Sequence, residues 1–251
     1  MSVNLLSRCK LAFRAIRIKQ SLHRNDALGA LHRAWAYVHA TQLVGDYYEF
    51  GVYRGTSLAN SWLSYRHFRR RLEKSADLPF ARKGTLLDFL SQRPVFHGFD
   101  TFSGMPENNE GEDTLAPGSF AANRADVAAV CSSVSLKPPV LKLISGLFAD
   151  TADQIGTSPA AIVHIDCDLY ASTVDALNAI LPRLTQGSVI LFDDYNLFRA
   201  DNNRGERRAL RELRERTLLT FEPWFAYGAA SQAFLCHAEN LDPPSSLGLD
   251  H

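Results

Sequence analysis

The stretch from Ala160 to Tyr170 constrains the fold of this chain more than any other. It opens with an apolar run, Ala160-Ala161-Ile162-Val163, and soon reaches two acids, Asp166 and Asp168. An apolar run without polar alternation is typical of a strand that is buried on both faces, as in a parallel sheet. Acids just beyond such a strand lie at its carboxyl end, where open α/β sheets bind their ligands.

A second copy of this pattern follows in Ser188–Phe192, after which come Asp193 and Asp194. Two neighbouring strands would therefore direct four carboxylates at one edge of the sheet. Negative charges at this density repel one another unless a cation or raised pKa values relieve them. Because hard oxygen ligands favour Mg²⁺ or a similar ion, the pattern predicts a metal site.

A glycine-bearing turn lies nearer the amino terminus. The residues predict a strand over Asp46–Phe50, a turn containing Gly51 and Gly55, and a helix that begins near Thr56. Glycine lets the backbone approach a ligand closely, and the helix N-terminus offers free N–H groups. The spacing is not the dinucleotide fingerprint Gly-x-Gly-x-x-Gly. A ligand contact and a plain turn therefore both remain open for this stretch.

Two further strands are predicted between the glycine turn and the acidic strands. Pro94–Phe99 ends at Asp100, a position where an acid commonly binds ribose hydroxyls, and Val140–Ile144 is followed by Gly146. Strands that alternate with helices predict a doubly wound, mostly parallel sheet in the α/β class. The residues that follow these strands should share one edge, the predicted site: Gly51, Asp100, Gly146, Asp166 and Asp193.

The segments between and after these strands carry weaker signals. Glu107–Asn123, rich in Gly, Pro, Asn and acids, is predicted to be a lid over the site. Residues 66–93 are charged and indicate a solvated helix face or an insertion. Arg204–Arg216 mixes both signs of charge and is interpreted as a solvated helix. Leu218–Phe225 and Gln232–Cys236 are predicted to be two closing strands.

Composition narrows the class of protein. The 251 residues can form a full core, and 46% hydrophobic and 22% charged residues are ordinary for a globular chain. The formal net charge of zero gives no electrostatic argument for a nucleic-acid partner. The four cysteines are widely spaced and fit neither a zinc motif nor a disulfide framework. No apolar run approaches the roughly 18 residues that span a bilayer, so we expect a cytoplasmic protein.

The amino-terminal residues 1–40 are interpreted as a basic helical segment, separate from an α/β domain over residues 41–251. Residues 1–24 are basic and contain no acid, interleaved with apolar residues. We expect this part to pack on its own domain or on another subunit, with a weak peripheral membrane contact as the alternative. From Asp26 to Leu43, apolar residues recur at helical spacing.

Five segments together resemble the macrocin O-methyltransferase family, also called TylF-like. The resemblance spans roughly residues 40–236 and is carried by Glu49–Gly55, Gly98–Pro106, Pro117–Phe120, His164–Tyr170 and Phe192–Tyr195. Members of this family are Mg²⁺-dependent sugar O-methyltransferases that use S-adenosylmethionine. The resemblance implies a Rossmann-like class I methyltransferase fold with an antiparallel last strand. We expect a homo-oligomer whose acceptor is a hydroxyl of a natural-product glycoside or surface glycan, and a small phenol remains an open alternative.

The resemblance also implies roles for individual residues. The cofactor pocket is expected to contain Glu49, Gly51, Tyr53, Ser57, Asp100 and, by its position after a strand, Gly146. Asp166, Asp193 and Asp194 correspond to the metal ligands and Asp168 to the general base. The residues alone do not separate Asp166 from Asp168, because strand alternation would direct both side chains to the same side.

Several alternatives remain open. Asp168 could cap the following helix, and His164 is better explained as a packed core residue than as a ligand. A Mg²⁺-dependent phosphoryl transferase or hydrolase would also use clustered acids, although the chain has no Walker sequence. A non-catalytic nucleotide-binding scaffold would be expected to have lost some of the carboxylates.

Overall fold

The computed structural model describes residues 25–75, 83–109 and 115–238. The helices are α1 (Ala27–Thr41), α2 (Thr56–Ser75), α3 (Lys83–Ser91), α4 (Arg124–Ser133), α5 (Tyr170–Ile180) and α6 (Gly205–Arg216). The strands are β1 (Asp46–Phe50), β2 (Phe96–Asp100), β3 (Leu141–Ser145), β4 (Ala160–Ile165), β5 (Val189–Phe192), β6 (Thr220–Tyr227) and β7 (Ser231–His237). Short 3-10 helices cover Ala149–Gln154 and Leu181–Arg183.

The seven strands of the described residues form one sheet in the order β3-β2-β1-β4-β5-β7-β6. The first five strands are parallel, whereas β7 runs antiparallel to both β5 and β6. The predicted doubly wound, mostly parallel sheet with an antiparallel last strand is therefore confirmed. The carboxyl ends of β1, β2, β4 and β5 meet at one edge, as the residue pattern predicted.

The apolar run of β4 lies at the centre of the sheet, and every residue of this strand is buried. Its side chains are divided between two cores, one on each face of the sheet. Val163 packs in a cluster with residues of α5 and α6, and Ile162 packs in a second cluster with residues of α1, α2 and α4. Because helices cover both faces, no polar alternation is needed along this strand, which explains its composition.

The prediction for the charged segment Arg204–Arg216 needs revision. Helix α6 is not simply solvated, because its inner face buries an apolar stripe, Ala209, Leu210 and Leu213, together with Glu206. The many Arg and Glu residues on its outer face conceal this stripe in the sequence. The charged segment 66–93 contains the end of α2 and all of α3.

Residues 1–24, which carry the basic part of the predicted segment 1–40, lie outside the described residues. The predictions for that part, including its boundary with the α/β domain, stay predictions. Among the helices in the described ranges, none is long and apolar enough to cross a bilayer.

Helix α1 packs on α2 through polar and aromatic side chains. Asp26 caps the helix by accepting a hydrogen bond from the Gly29 N–H at 3.0 Å. Trp35 donates its indole N–H to Ser61 Oγ at 2.7 Å. His39 is buried one turn further on, and its Nδ1 lies 2.7 Å from the Trp35 carbonyl oxygen. Burial lowers the pKa of His39 to about 4, because the charged imidazolium cannot be hydrated there.

We predict that this histidine makes folding sensitive to acid. The unfolded chain binds a proton near pH 6.5 and the folded chain only near pH 4, so stability falls as the pH drops through this interval. The free energy of unfolding should therefore fall between pH 7.5 and pH 5 by about 2 kcal/mol more in the wild type than in His39→Phe. Urea unfolding at both pH values measures this difference. Equal losses in the two proteins would contradict the prediction.

Candidate active site at the carboxyl edge of the sheet

A cavity of about 450 Å³ opens at the carboxyl edge of the parallel strands. The predicted lid segment contributes Glu107, Ser119 and Phe120 to its lining. Residues 110–114 of that segment lie outside the described ranges. The cavity brings the glycine turn and the acidic strands together, because its lining includes seven of the predicted site residues: Gly51, Tyr53, Asp100, Asp166, Asp168, Asp193 and Asp194.

Gly51 follows β1 in a conformation that only glycine adopts readily, with φ +90°. Its N–H donates to the Phe99 carbonyl oxygen at 2.9 Å. A Cβ at this position would lie 1.8 Å from the backbone oxygen of Asp166. The turn after β1 can therefore approach the end of β4 only because residue 51 has no side chain.

Asp100 holds this turn from the neighbouring strand. Its Oδ2 accepts hydrogen bonds from the backbone N–H groups of Val52 and Tyr53, both at 2.8 Å. Its Oδ1 accepts one from the Phe102 N–H at 2.7 Å. A carboxylate has about four acceptor positions, so Asp100 can fix the turn and still accept a hydrogen bond from one ligand hydroxyl.

Three predicted cofactor residues lie outside the cavity lining. Glu49 is completely buried, where it accepts hydrogen bonds from Tyr47 and, at 2.7 Å, from Ser57. Its Oε2 also lies 3.7 Å from Nδ1 of the buried His164. Gly146, at φ +143°, follows β3. The hydrogen bond between Ser57 and Glu49 joins the start of α2 to β1 and so links the two ends of the turn. The predicted cofactor contact of Glu49, Ser57 and Gly146 stays a prediction.

The acids after β4 and β5 form a compact cluster. Carboxylate oxygens of Asp166, Asp193 and Asp194 lie within 4.8 Å of one another, the only such candidate metal-binding group found in the described part of the chain. Backbone hydrogen bonds fix two of them, because the Asp166 N–H donates to Phe50 and the Asp193 N–H donates to Ile165, each at 2.9 Å. The pairing of the parallel strands therefore continues to the acids and places them side by side.

Crowding changes the proton affinity of the cluster. Burial, together with the charge of Asp193 and partly offset by His164, raises the pKa of Asp166 to about 7. Burial and the charge of Asp168 raise the pKa of Asp194 to about 9. At neutral pH the cluster therefore requires protons or a cation for charge balance. Three carboxylate oxygens within reach of one point fit a hard divalent cation such as Mg²⁺.

Asp168 lies beside the cluster and outside the group of three. Strand β4 ends at Ile165, and Asp168 has φ +56°, so strand alternation does not extend to it. Its carboxyl group is hydrogen-bonded to that of Asp194, and burial raises its pKa. The structure thus places Asp166 within the group of three acids and Asp168 outside it. The residue pattern alone predicted the same orientation for both side chains.

Two residues that support the cluster were not identified from the sequence. Glu206, on the first turn of α6, is 1% exposed and accepts a hydrogen bond from the Asp194 N–H at 3.0 Å. Ser231, at the start of β7, donates to the Asp193 carbonyl oxygen at 2.5 Å. Each is distant in sequence from its partner, and only an acid on the first turn of a predicted helix could have drawn attention to Glu206.

Comparisons with known proteins find similarity to O-methyltransferases. A family model described as macrocin O-methyltransferase (TylF) matches residues 85–221. Over 106 residues, 38% of this chain and 40% of the relative, the sequence is 34% identical to the 8-demethyl-8-(2,3-dimethoxy-alpha-L-rhamnosyl)-tetracenomycin-C 4'-O-methyltransferase of Streptomyces olivaceus. Over 155 residues, 60% of this chain and 55% of the relative, it is 27% identical to the mycinamicin III 3''-O-methyltransferase of Micromonospora griseorubida. The matches thus span about half of these relatives or less.

Solved structures share the fold. The O-methyltransferase NovP superposes with a TM-score of 0.59 at 20% identity, covering 83% of this chain and 78% of NovP. The calicheamicin methyltransferase CalS11 gives a TM-score of 0.56 at 22% identity, covering 83% and 77%. The predicted Rossmann-like class I methyltransferase fold is therefore confirmed.

We predict that the contact between Gly51 and Asp166 is essential for the site to fold. Gly51→Ala combines left-handed strain with a clash against backbone and should cost about 2–5 kcal/mol of unfolding free energy. Gly118→Ala is the matched control, because Gly118 has φ +81° and a Cβ added there would meet nothing within 4 Å. The control should cost only about 1–2 kcal/mol. Thermal or urea unfolding of both variants is the measurement, and equal costs would contradict the proposed contact.

Proposed function

The chain belongs to the macrocin O-methyltransferase family, and from this premise we propose that it transfers a methyl group from S-adenosylmethionine to a sugar hydroxyl in a Mg²⁺-dependent reaction. The observation that carries the proposal is the group of three carboxylates, Asp166, Asp193 and Asp194, in the same cavity as the glycine turn. A cofactor turn and a metal cluster in one cavity are what a cation-assisted methyl transfer requires.

S-adenosylmethionine supplies a methyl group on a positively charged sulfur. Gly51 and Tyr53 would line its binding site, because both border the cavity and belong to the turn fixed by Asp100. The remaining acceptor position of Asp100 would take a ribose hydroxyl. Glu49 and Ser57 would act from beneath by holding the end of β1 and the start of α2 in place.

The metal would be held by Asp166, Asp193 and Asp194. Mg²⁺ supplies Lewis acidity, which stabilises negative charge on a hydroxyl oxygen as its proton leaves. Two of the three ligand residues are fixed through the backbone bonds at the ends of β4 and β5, so their positions depend little on side-chain freedom. Fixed ligands reduce the reorganisation that accompanies reaction.

Asp168 would accept the proton of the acceptor hydroxyl. Its carboxyl group borders the cavity next to the cluster and is not one of the three grouped acids. S-adenosylmethionine would supply the methyl group and leave as a neutral thioether, and the Asp168 carboxylate would take the proton of the acceptor hydroxyl. General-base catalysis of this kind contributes about 10²–10⁴ in rate.

The acceptor is proposed to be a sugar hydroxyl of a natural-product glycoside or surface glycan. Support comes from the names of two relatives, which describe methylation at 4' of a rhamnosyl tetracenomycin and at 3'' of mycinamicin III. Phe120 and Leu147 line the cavity and are 51% and 45% exposed, which leaves apolar surface at the opening for the rest of a large acceptor. A homo-oligomer, a cytoplasmic location and a weak amino-terminal membrane contact stay predictions.

Cofactor binding tests the proposal first. Calorimetry should show that the wild type binds S-adenosylmethionine, and Asp100→Ala should weaken this binding about tenfold or more. The change leaves the Val52 and Tyr53 N–H groups without their acceptor and removes a ligand contact. Asp88→Ala, an exposed change on α3, should have no effect. A wild type that gives neither heat nor a thermal shift with this cofactor would contradict the methyltransferase proposal.

The metal and the base can be separated by a titration of turnover. With an acceptor glycoside, activity should be lost in EDTA and restored by Mg²⁺. Asp166→Asn should raise the Mg²⁺ concentration needed for activity, because a charged ligand is lost. Asp168→Asn should lower turnover about 10²-fold or more with little change in the Mg²⁺ requirement.

Two outcomes would count against this assignment. Full turnover in chelator would rule out the proposed metal site. Rescue of Asp168→Asn, and not of Asp166→Asn, by excess Mg²⁺ would show that the two roles are reversed.

A further inference from the structure

Glu206 is a fifth carboxyl group next to the four acids of the site, and neither metal binding nor proton transfer uses it. It lies on the first turn of α6 and is 1% exposed. Its Oε2 accepts a hydrogen bond from the Asp194 N–H at 3.0 Å. The other oxygen, Oε1, is buried and has no hydrogen-bond partner among the described residues. The contact with the Asp194 backbone is thus the one hydrogen bond seen for this side chain there.

A buried acid is unfavourable unless its interactions compensate. Transfer of a carboxyl group out of water costs several kcal/mol, and the neighbouring acids of the site add repulsion if Glu206 is charged. An apolar side chain of the same size would pack on the inner face of α6 without these costs. What the acid provides, and an apolar side chain would lack, is an acceptor for the Asp194 N–H.

We propose that Glu206 is a positioning residue that sets the orientation of Asp194 toward the metal through the Asp194 backbone N–H. The inference rests on the proposed metal site and extends it to a residue that does not belong to the grouped ligands. Asp194 follows Asp193 in a turn after β5, and its N–H is not part of the strand pairing that fixes Asp166 and Asp193. Glu206 supplies the missing anchor from a separate helix.

In this proposal the acceptor oxygen of Glu206, and not its negative charge, orients Asp194. Two uncharged variants of similar size distinguish the effect of the acceptor from the effect of the charge. Glu206→Gln keeps a carbonyl oxygen that can accept the Asp194 N–H, whereas Glu206→Met fills the same space without an acceptor. Glu215→Met on the exposed face of α6 is the control. Groups that orient metal ligands typically change metal affinity about 10–100-fold when they are lost.

The experiment measures binding of Mg²⁺ alone by calorimetry and of Mn²⁺ alone by electron paramagnetic resonance, without cofactor or acceptor. Glu206→Met should weaken both affinities about tenfold or more, while Glu206→Gln and Glu215→Met should stay within about twofold of the wild type. The melting temperatures of the metal-free variants measure the structural role separately, because a purely structural role would lower stability in Glu206→Met and leave its metal affinity unchanged. Wild-type metal affinity in Glu206→Met, or equal losses of affinity in the Gln and Met variants, would overturn the role of Glu206. Neither outcome would contradict the proposed metal site.

A second measurement does not depend on whether the Met variant folds. In the wild type, hydrogen exchange of the Asp194 amide should be slow, because the N–H is bonded to a buried acceptor. Free exchange of this amide would overturn the role of Glu206. Absence of any divalent binding by the wild type would overturn the proposed metal site, and the inference with it.

Discussion

Repulsion between clustered, partly buried carboxylates is the constraint on which the rest of this structure depends. Asp166, Asp193 and Asp194 approach one another within a partly buried edge, where their charges interact more strongly than in water. Isolated side chains would separate under this repulsion. They stay together because β4 and β5 are buried on both faces and their pairing continues to the N–H groups of Asp166 and Asp193. Stability of the central sheet thus maintains an arrangement that is locally unfavourable.

The glycine turn after β1 and the acidic end of β4 are joined by a direct backbone contact. Gly51 sits against the Asp166 carbonyl so closely that no side chain can intervene, and the Asp166 N–H is bonded to Phe50. The turn that would hold the methyl donor and the acid that would hold the metal are therefore adjacent parts of two paired strands. The register of the paired strands fixes the relative position of the turn and the acid. Strand pairing holds them more rigidly than a contact between two loop side chains would.

Much of this arrangement could be predicted because it depends on residues close in sequence. Strand β1 was predicted with the observed bounds, Asp46–Phe50, because its residues are mostly aromatic and Gly51 follows directly. The acids after β4 and β5 were identified because each follows an apolar run directly or within a few residues. The position of Asp168 could not be predicted, because it depends on a backbone at φ +56° that breaks strand alternation. The contact between Glu206 and the Asp194 N–H could not be predicted either, because it joins two separate elements. Arg and Glu are frequent in α6, and nothing in the local sequence distinguishes Glu206 from the exposed acids.

Ser231 can contact the Asp193 carbonyl oxygen because β7 runs antiparallel to β5. In the observed register Phe192 pairs with Gln232, so the first residues of β7 lie beside the carboxyl end of β5. A parallel strand in the same position would instead bring its last residues to that edge. Because β7 is reversed, Ser231 reaches the Asp193 carbonyl oxygen directly after the β6–β7 turn, and a short hairpin fixes one metal-ligand candidate. The reversal that distinguishes this sheet from an all-parallel one therefore also completes the support of the site.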